Sequence, residues 1–280
     1  MGSRIGLRAK EIHALAVLKQ EIWESDPNLR QQYLRNFTRA YTQYRRAVSL
    51  TYLHEQLRQA DVVLVGDYHA LPEAQAFAAE LVEMLARGMR PVHLGVEFFF
   101  SRDQKALAAW QRGEISEEEL RSRTNYELEW GYDWQPYGEL LRRARVVGAE
   151  VRALDRCPRG ELSEIAARDR HAAALICEAR RKSPEAVMVA LYGECHLAPK
   201  HLQGLLKRRL PRARVITVLQ NIDALYWQSE RETQLVEAVQ VRDDVFCVFT
   251  ATPLEKYASY RRYLDKWHMA EEPEKFRQSR

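Results

Sequence analysis

A short phrase that occurs twice constrains the fold more than any other feature of the sequence. The first copy lies in Asp61–Pro72, where the apolar run Val62–Val65 leads into Gly66, an acid, an aromatic residue and His69. A short apolar run that stops at a glycine is typical of a buried strand, and proline is common at the first position of a helix. The phrase therefore predicts a strand, a sharp corner and the start of a helix.

The second copy follows the apolar run Ala186–Leu191. Gly193–Pro199 reads G-E-C-H-L-A-P, and Gly66–Pro72 reads G-D-Y-H-A-L-P. Each has glycine, an acid, any residue, histidine, two small or apolar residues and proline. We call Gly66–Pro72 the first corner and Gly193–Pro199 the second corner. Two such corners predict one site built from two related halves.

Further short apolar runs alternate with helical patterns along the chain. The predicted strands cover Val62–Val65, Pro91–Val96, Glu150–Leu154, Ala186–Leu191, Val215–Leu219, Val236–Val241 and Val245–Thr250. The predicted helices lie from Pro72 to near Gly88, after Ser101, and over Ile115–Leu120, Tyr137–Val147, Gly160–Arg181, Lys200–Leu210 and a segment from Pro253. This alternation is typical of crossover connections. It predicts an α/β fold with a mostly parallel sheet flanked by helices, and the last two strands are expected to form a hairpin.

The domain organisation follows from where the patterns change. Residues 1–60, read as helical from Leu7 to Ala60, are interpreted as a helical extension packed on the core. Residues 61–270 form the predicted α/β domain, and residues 271–280 a charged tail.

Composition excludes several classes of function. The chain has 280 residues, 46% of them hydrophobic, and a net charge of only +4, so we expect a real core and a solvated surface and no nucleic-acid partner. The basic clusters Arg180–Lys182 and Lys207–Arg209 end helical patterns, where cations suit the helix C-terminus. Four widely spaced cysteines and no long apolar run predict a cytoplasmic protein without a disulfide framework or a membrane span.

The chemistry is expected where the strands end. In an open parallel sheet the carboxyl ends of the strands line the ligand crevice, and five chemically active residues follow such ends. They are Asp67, His69, Glu97, Glu194 and His196. Two imidazoles with carboxylates suit Zn, Mn or Fe(II), so His69, His196 and Glu97 are candidate ligands of a divalent metal. The alternative is that each histidine only caps backbone in its turn.

Three other stretches have two interpretations each. Arg168 and Asp169 lie within a helical pattern and are either part of a solvated face or able to reach the site. The aromatic loop Trp130–Tyr137 either walls a pocket or belongs to the core. Cys195 sits in the second corner, but its counterpart is Tyr68, so the pattern does not require a thiol. No G-x-S-x-G motif occurs, so a hydrolase with a serine or cysteine triad is disfavoured. The P-loop and G-x-G-x-x-G motifs are also missing.

Taken in order, these motifs resemble the ChaN-like family, part of the Tiki/TraB/erythromycin-esterase-like superfamily. The similarity covers roughly Asp61–Leu219, and five motifs carry it. They are Gly66–His69, Glu97, Trp134–Tyr137, Arg168–Arg170 and Gly193–His196.

The resemblance implies an α/β fold with duplicated halves that meet at a shared site. It also implies either haem binding in iron uptake or, as in the Tiki branch, metal-dependent proteolysis. The residues it marks are His69, Glu97 and His196, with Asp67, Arg168, Asp169 and Glu194 beside them. Two departures stand out: Asp67 replaces the glutamate usual in the family, and the lipid-attachment cysteine of haem-uptake lipoproteins is missing near the start.

The sequence thus predicts a metal-dependent hydrolase of a peptide or ester-like bond. His69 and His196 would bind the metal or polarise the scissile carbonyl, Glu97 would be a ligand or general base, and Arg168 would hold an anionic part of the substrate. Glu194 is a further candidate catalytic residue. Candidate ligand-binding residues are Asp67, Tyr68, Asp169, Trp134 and Tyr137.

The alternative function is haem binding or haem handling linked to iron acquisition. Tyr68, Tyr132 or a corner histidine would then ligate iron, since haem accepts both residue types. The expected partner is accordingly a small molecule, a peptide or haem, and homo-oligomerisation is left open. A catalytically inactive scaffold is a third interpretation.

Overall fold

The computed structural model describes residues 2–25, 32–159, 164–232 and 234–277. Eight strands form one sheet. They are β1 (Arg46–Val48), β2 (Val62–Asp67), β3 (Val92–Phe100), β4 (Glu150–Asp155), β5 (Val187–Gly193), β6 (Val215–Gln220), β7 (Ala238–Arg242) and β8 (Val245–Val248).

The strand order is β1-β7-β8-β6-β2-β5-β3-β4. The six strands from β8 to β4 run parallel to one another, whereas β7 is antiparallel to both β8 and β1. The prediction of a mostly parallel α/β sheet is therefore confirmed, as is the hairpin that joins β7 to β8.

Helices cover both faces of the sheet, which explains why its central strands are apolar without alternation. Val63 and Val65 of β2 join a cluster on one face with helical residues such as Phe77. Val62 and Leu64 join a cluster on the other face. Every residue of β2, β3, β5 and β6 is buried, so these strands form the rigid centre that positions the loops after them.

The helices lie mostly where the sequence predicts them. They are α1 (Gly2–Ser25), α2 (Gln32–Ala40), α3 (Leu50–Arg58), α4 (Pro72–Ala86), α5 (Gln104–Gln111), α6 (Glu117–Thr124), α7 (Tyr126–Glu129), α8 (Trp134–Val146), α9 (Ile165–Lys182), α10 (Leu202–Arg209), α11 (Asp223–Ser229) and α12 (Pro253–Arg277). The predicted start of α9 at Gly160 lies outside the described residues.

The N-terminal region departs from the prediction of helix throughout. Between α2 and α3 the chain forms β1, which pairs antiparallel with β7 at the edge of the sheet. The extension thus adds a strand to the sheet as well as helices. The division into residues 1–60, 61–270 and 271–280 stays a prediction, although α12 continues as a helix to Arg277 and residues 278–280 lie outside the described range.

The two long terminal helices, α1 and α12, contact each other. One link is the ion pair between Arg261 of α12 and Glu21 of α1, with 3.8 Å between nitrogen and oxygen. Among the described helices, none combines the length and the apolar character needed to cross a bilayer.

Candidate functional site

The two corners lie side by side, because the strands that lead into them are neighbours. β2 and β5 pair in parallel, with Asp67 opposite Gly193. β3 pairs with the other side of β5, so Glu97 reaches the same edge of the sheet. Strand pairing alone therefore brings both corners and Glu97 together.

The first corner holds an Asp–His pair. His69 Nδ1 lies 2.8 Å from Asp67 Oδ2, and the Tyr137 hydroxyl donates to the same oxygen at 2.8 Å. Gln75 of α4 donates to the other carboxylate oxygen. Since a carboxylate only accepts hydrogen bonds, Nδ1 carries the proton and Nε2 is left for chemistry. Burial lowers the pKa of His69, but the charge of Asp67, its hydrogen bond and the charge of Glu97 together outweigh burial and raise the pKa above 6.5.

The second corner differs from the first in its local structure. Glu194–Leu197 form a 3₁₀ turn, and α10 begins at Leu202. The predicted helix start at Pro199 is wrong, whereas the predicted start at Pro72 is confirmed. The extra turn after Pro199 brings His201 to Asp169, with 2.7 Å between Nδ1 and Oδ2.

His196 lies between two carboxylates. Its Nδ1 is 2.6 Å from Asp169 Oδ1, and its Nε2 is 3.4 Å from Glu97 Oε1. Burial lowers the pKa of His196, but the Glu97 charge and the Asp169 hydrogen bond outweigh burial and raise the pKa to about 9. His196 is thus an imidazolium at neutral pH, whereas the Asp169 pKa is lowered because its hydrogen bonds to the two histidines outweigh burial.

Glu97 connects the two corners. Its Oε1 accepts from Arg168 and faces His196, and its Oε2 accepts from the Gly193 amide. A Cβ at Gly193 would lie 3.1 Å from Glu97 Oε2 and 3.1 Å from His69 Nε2, so His69 also reaches this point. Burial raises the Glu97 pKa, but His196 and Arg168 outweigh burial and hold it well below its usual value. Glu97 is a buried carboxylate anion.

Arg168 is buried and pairs with carboxylates. It does not lie open to hold an anionic part of a substrate, which is the role that the sequence predicted. Its Nε and Nη2 each lie 2.9 Å from an oxygen of Asp155, and Nη2 also donates to Glu97. Only 9% of its side chain is exposed. We therefore regard Arg168 as a residue that positions Glu97.

Glu194 faces away from Glu97, towards α12. Its carboxylate oxygens lie 3.2 and 3.4 Å from Lys256 Nζ, which also donates to the Asn221 carbonyl at 3.2 Å. Lys256 lies over the Tyr68 ring, 4.5 Å from its centre. Burial raises the Glu194 pKa despite the opposing charge of Lys256. Glu194 and Tyr68 thus anchor α12 beside the site.

An aromatic wall lies over His69. The rings of Trp130 and Tyr132 contact the imidazole, with centres 4.6 and 5.0 Å away. Tyr132 stacks on Tyr263 of α12 at 4.3 Å. Beside this wall is a cavity of about 190 Å³ whose lining includes His69, Arg262 and Lys266. The cations at the mouth come from α12, which the sequence did not link to the site.

Trp134 lies apart from the corner residues. Its indole nitrogen donates to Glu117, at 2.5 Å, and its ring packs on Tyr126. It lines a second cavity of about 300 Å³, which shares Gly131, Tyr132, Asp133 and Lys266 with the cavity beside His69.

Four residues with contacts to the site were missed by the sequence analysis: Gln75, Asp155, His201 and Lys256. Asp155 could have been found, because it ends an apolar strand in the same way as Asp67. His201, which directly precedes α10, and Lys256 of α12 belong to no motif, and only the tertiary fold brings them to Asp169 and Glu194.

The residues present do not fit a divalent metal. In the described part of the chain, no group of three or more His, Cys, Asp or Glu side chains is arranged to hold a metal ion. Glu97 already accepts from Arg168 and Gly193, and the Arg168 guanidinium would repel a cation at that carboxylate. The expected triad of His69, His196 and Glu97 comes together, but as an ion-pair network.

With this geometry established, comparisons with known proteins give the family. A sequence model of the family described as haem-binding uptake, Tiki superfamily, ChaN matches residues 53–195, just over half of the chain. The chain belongs to this family. The resemblance inferred from the motifs is confirmed. No curated protein matches the chain significantly.

Solved structures with similar folds are distant in sequence. The type III effector HopBA1 is 14% identical, with 75% of this chain and 97% of that chain covered and a TM-score of 0.55. ChaN of Campylobacter jejuni, described with cofacial haem binding, is 13% identical, with 71% and 91% covered and a TM-score of 0.49. The likeness to HopBA1 extends to the fold alone.

Haem is the group that the family implies, and the candidate iron ligands do not fit it in this arrangement. The Tyr68 ring is covered by Lys256, Tyr132 stacks on Tyr263, and both ring nitrogens of His196 lie next to carboxylates.

Proposed function

We propose that this protein is a hydrolase of ester or peptide bonds in which the two corner histidines act directly on water and substrate. One observation carries the proposal: each corner histidine has its own aspartate, and a single buried carboxylate, Glu97, lies between the two pairs. Histidines that an aspartate holds in one tautomer and orientation are characteristic of acid–base sites.

His69 is the general base in this proposal. Asp67 holds the proton on Nδ1, so Nε2 is oriented to accept a proton from water, in the way that an aspartate orients a histidine in catalytic triads. The water oxygen then forms a bond to the carbonyl carbon of the substrate. When the ester or amide bond breaks, the proton returns from His69 Nε2 to the leaving oxygen or nitrogen.

His196 supplies positive charge in this proposal. Its raised pKa, about 9, keeps it an imidazolium at neutral pH. Both ring nitrogens lie next to carboxylates, so the charge would act through space on the oxyanion that develops on the carbonyl oxygen. Glu97 and Arg168 have positioning roles, because both side chains are engaged with other groups of the protein.

Recognition of the substrate is assigned to the cavity beside His69. Its lining includes Arg262 and Lys266 as cations and Asp133 as an acid, together with Tyr132 and Tyr263. Excess positive charge at the mouth favours a substrate with an acidic group near the scissile bond. Arg262 and Lys266 thus take the role that the sequence predicted for Arg168, which was to hold an anionic part of the substrate.

A panel of p-nitrophenyl esters and fluorogenic peptides tests this function, with wild type, His69→Gln and His13→Gln proteins compared. His13 is exposed on α1 and serves as the matched control. We expect kcat/KM to fall at least 100-fold in His69→Gln, in the range for loss of a general base. The control and chelator-treated wild type should keep full activity. Equal rates in wild type and His69→Gln would refute the proposal.

Haem binding is the second candidate function, and the description of the family supports it. An absorbance titration with haem distinguishes it from hydrolysis. Because Tyr68, Tyr132 and His196 are engaged in protein contacts, we expect no Soret shift at stoichiometric haem. A stoichiometric shift that Tyr68→Phe, Tyr132→Phe or His69→Gln abolishes would favour haem.

A further inference from the structure

A groove with several arginines lies at the opposite end of the sheet from the corners. Its lining includes Asp61, which precedes β2, and the segment Leu210–Ala213, which precedes β6. The candidate hydrolytic site is at the carboxyl ends of these strands, so the groove is a separate feature. Its volume is about 340 Å³, within the range of small-molecule pockets.

The groove unites two basic clusters that are far apart in the sequence. Arg180 and Arg181 end α9, Arg209 ends α10, and Arg212 follows in the loop. α9 and α10 pack against each other, and residues from the last turn of each line the groove. Cations compensate the helix dipole at such ends, but Arg212 is outside any helix and the dipole does not account for it.

The acid in the groove is already engaged. Asp61 pairs with Arg180 at 3.0 Å and with Arg90 at 3.1 Å, and accepts from the Arg214 amide at 2.8 Å. Exposed Glu185 also acts on Arg180. Asp61 and Glu185 together therefore leave a surplus of positive charge.

Three guanidinium groups remain for a ligand. Within the described ranges, Arg181, Arg209 and Arg212 make no ion pair with a carboxylate. Arg181 and Arg209 donate to main-chain carbonyls, at 3.4 and 3.2 Å. All three side chains are exposed on the rim, and Leu210, Pro211 and Ala213 supply an apolar surface between them.

We propose that this groove binds a phosphorylated small molecule of nucleotide size. Guanidinium forks match the oxygen geometry of phosphate and bind it bidentately, and several guanidinium groups along one groove suit a diphosphate better than a single charge. The apolar surface would contact the organic part of the ligand. A net charge of only +4 for the chain argues against an extended nucleic-acid surface.

Isothermal titration calorimetry with ADP and with pyrophosphate tests the proposal. The groove variant carries Arg181→Gln, Arg209→Gln and Arg212→Gln. The control variant carries three exposed substitutions at arginines that pair with acids elsewhere, and it loses the same charge. Those substitutions are Arg45→Gln, Arg112→Gln and Arg123→Gln.

We expect wild type and control to bind both ligands, ADP more tightly, and the groove variant to lose at least tenfold in affinity for each. Thermal denaturation establishes that both variants fold. The proposal is overturned if the groove variant binds like wild type, or if wild type binds neither ligand at about 1 mM. Binding of phosphatidylserine vesicles without binding of either ligand would also overturn it, in favour of a membrane surface.

Discussion

The charge on His196 makes a measurable contribution to stability that depends on pH. The folded-state pKa of about 9 lies above the unfolded value of 6.5, so folding favours the protonated form. The contribution is fully present below pH 6.5 and is lost as the pH rises through about 9. At 1.36 kcal/mol per pKa unit, the shift corresponds to roughly 3 kcal/mol of unfolding free energy.

Urea denaturation from pH 6 to pH 10 measures this contribution in wild type, His196→Gln and His13→Gln. Glutamine cannot gain a proton. Between pH 6.5 and 9 the unfolding free energy of His196→Gln should therefore fall by about 3 kcal/mol less than that of wild type. His13→Gln should keep the full fall. The raised pKa of His69 also makes the unfolding free energy fall as the pH rises. This fall is the same in all three proteins, so it cancels when they are compared. Equal pH dependence in wild type and His196→Gln would refute the ion-pair network around His196.

Three other predictions follow from single contacts. Gly193→Ala should lower the rate of hydrolysis at least tenfold, because the new Cβ would lie 3.1 Å from atoms of His69 and Glu97. Gly66→Ala is the control: its Cβ would lie 3.5 Å from the nearest atom, so its rate in the same assay should stay near that of wild type. Lys256→Met leaves Glu194 buried without its cation and should cost about 3 kcal/mol in urea denaturation, with at least half regained in Lys256→Met/Glu194→Leu; no recovery would contradict the pairing. Glu97→Gln removes one of the two carboxylates at His196, so an NMR titration should give a His196 pKa clearly below about 9, and an unchanged value would exclude that contact.

The sheet and its carboxyl-end residues could be predicted because they depend on local pattern. Strands buried on both faces read as continuous apolar runs, and the residue after each run falls at the edge of the sheet. Asp67, His69, Glu97 and His196 were found in this way. β1 was missed because it has three residues and pairs only at the edge.

The rest of the site depends on contacts between distant segments, which local pattern does not encode. The sequence gives no sign that Arg168 binds Asp155, and that contact turns a predicted substrate anchor into a positioning residue. The second corner has the same residue pattern as the first, but its chain turns again after Pro199 and places His201 beside Asp169. The two similar motifs therefore lie side by side, as expected, but their helices do not begin at the same position.

The pH dependence of hydrolysis tests the central claim, that His69 acts as base and His196 as a charged partner. We expect a bell-shaped profile of kcat/KM that rises through a pKa above 6.5, as His69 loses its proton, and falls near pH 9, as His196 loses its own. The falling limb should be absent from His196→Gln, at a lower maximal rate. A profile that is flat from pH 6 to pH 10, or a falling limb that persists in His196→Gln, would contradict the account.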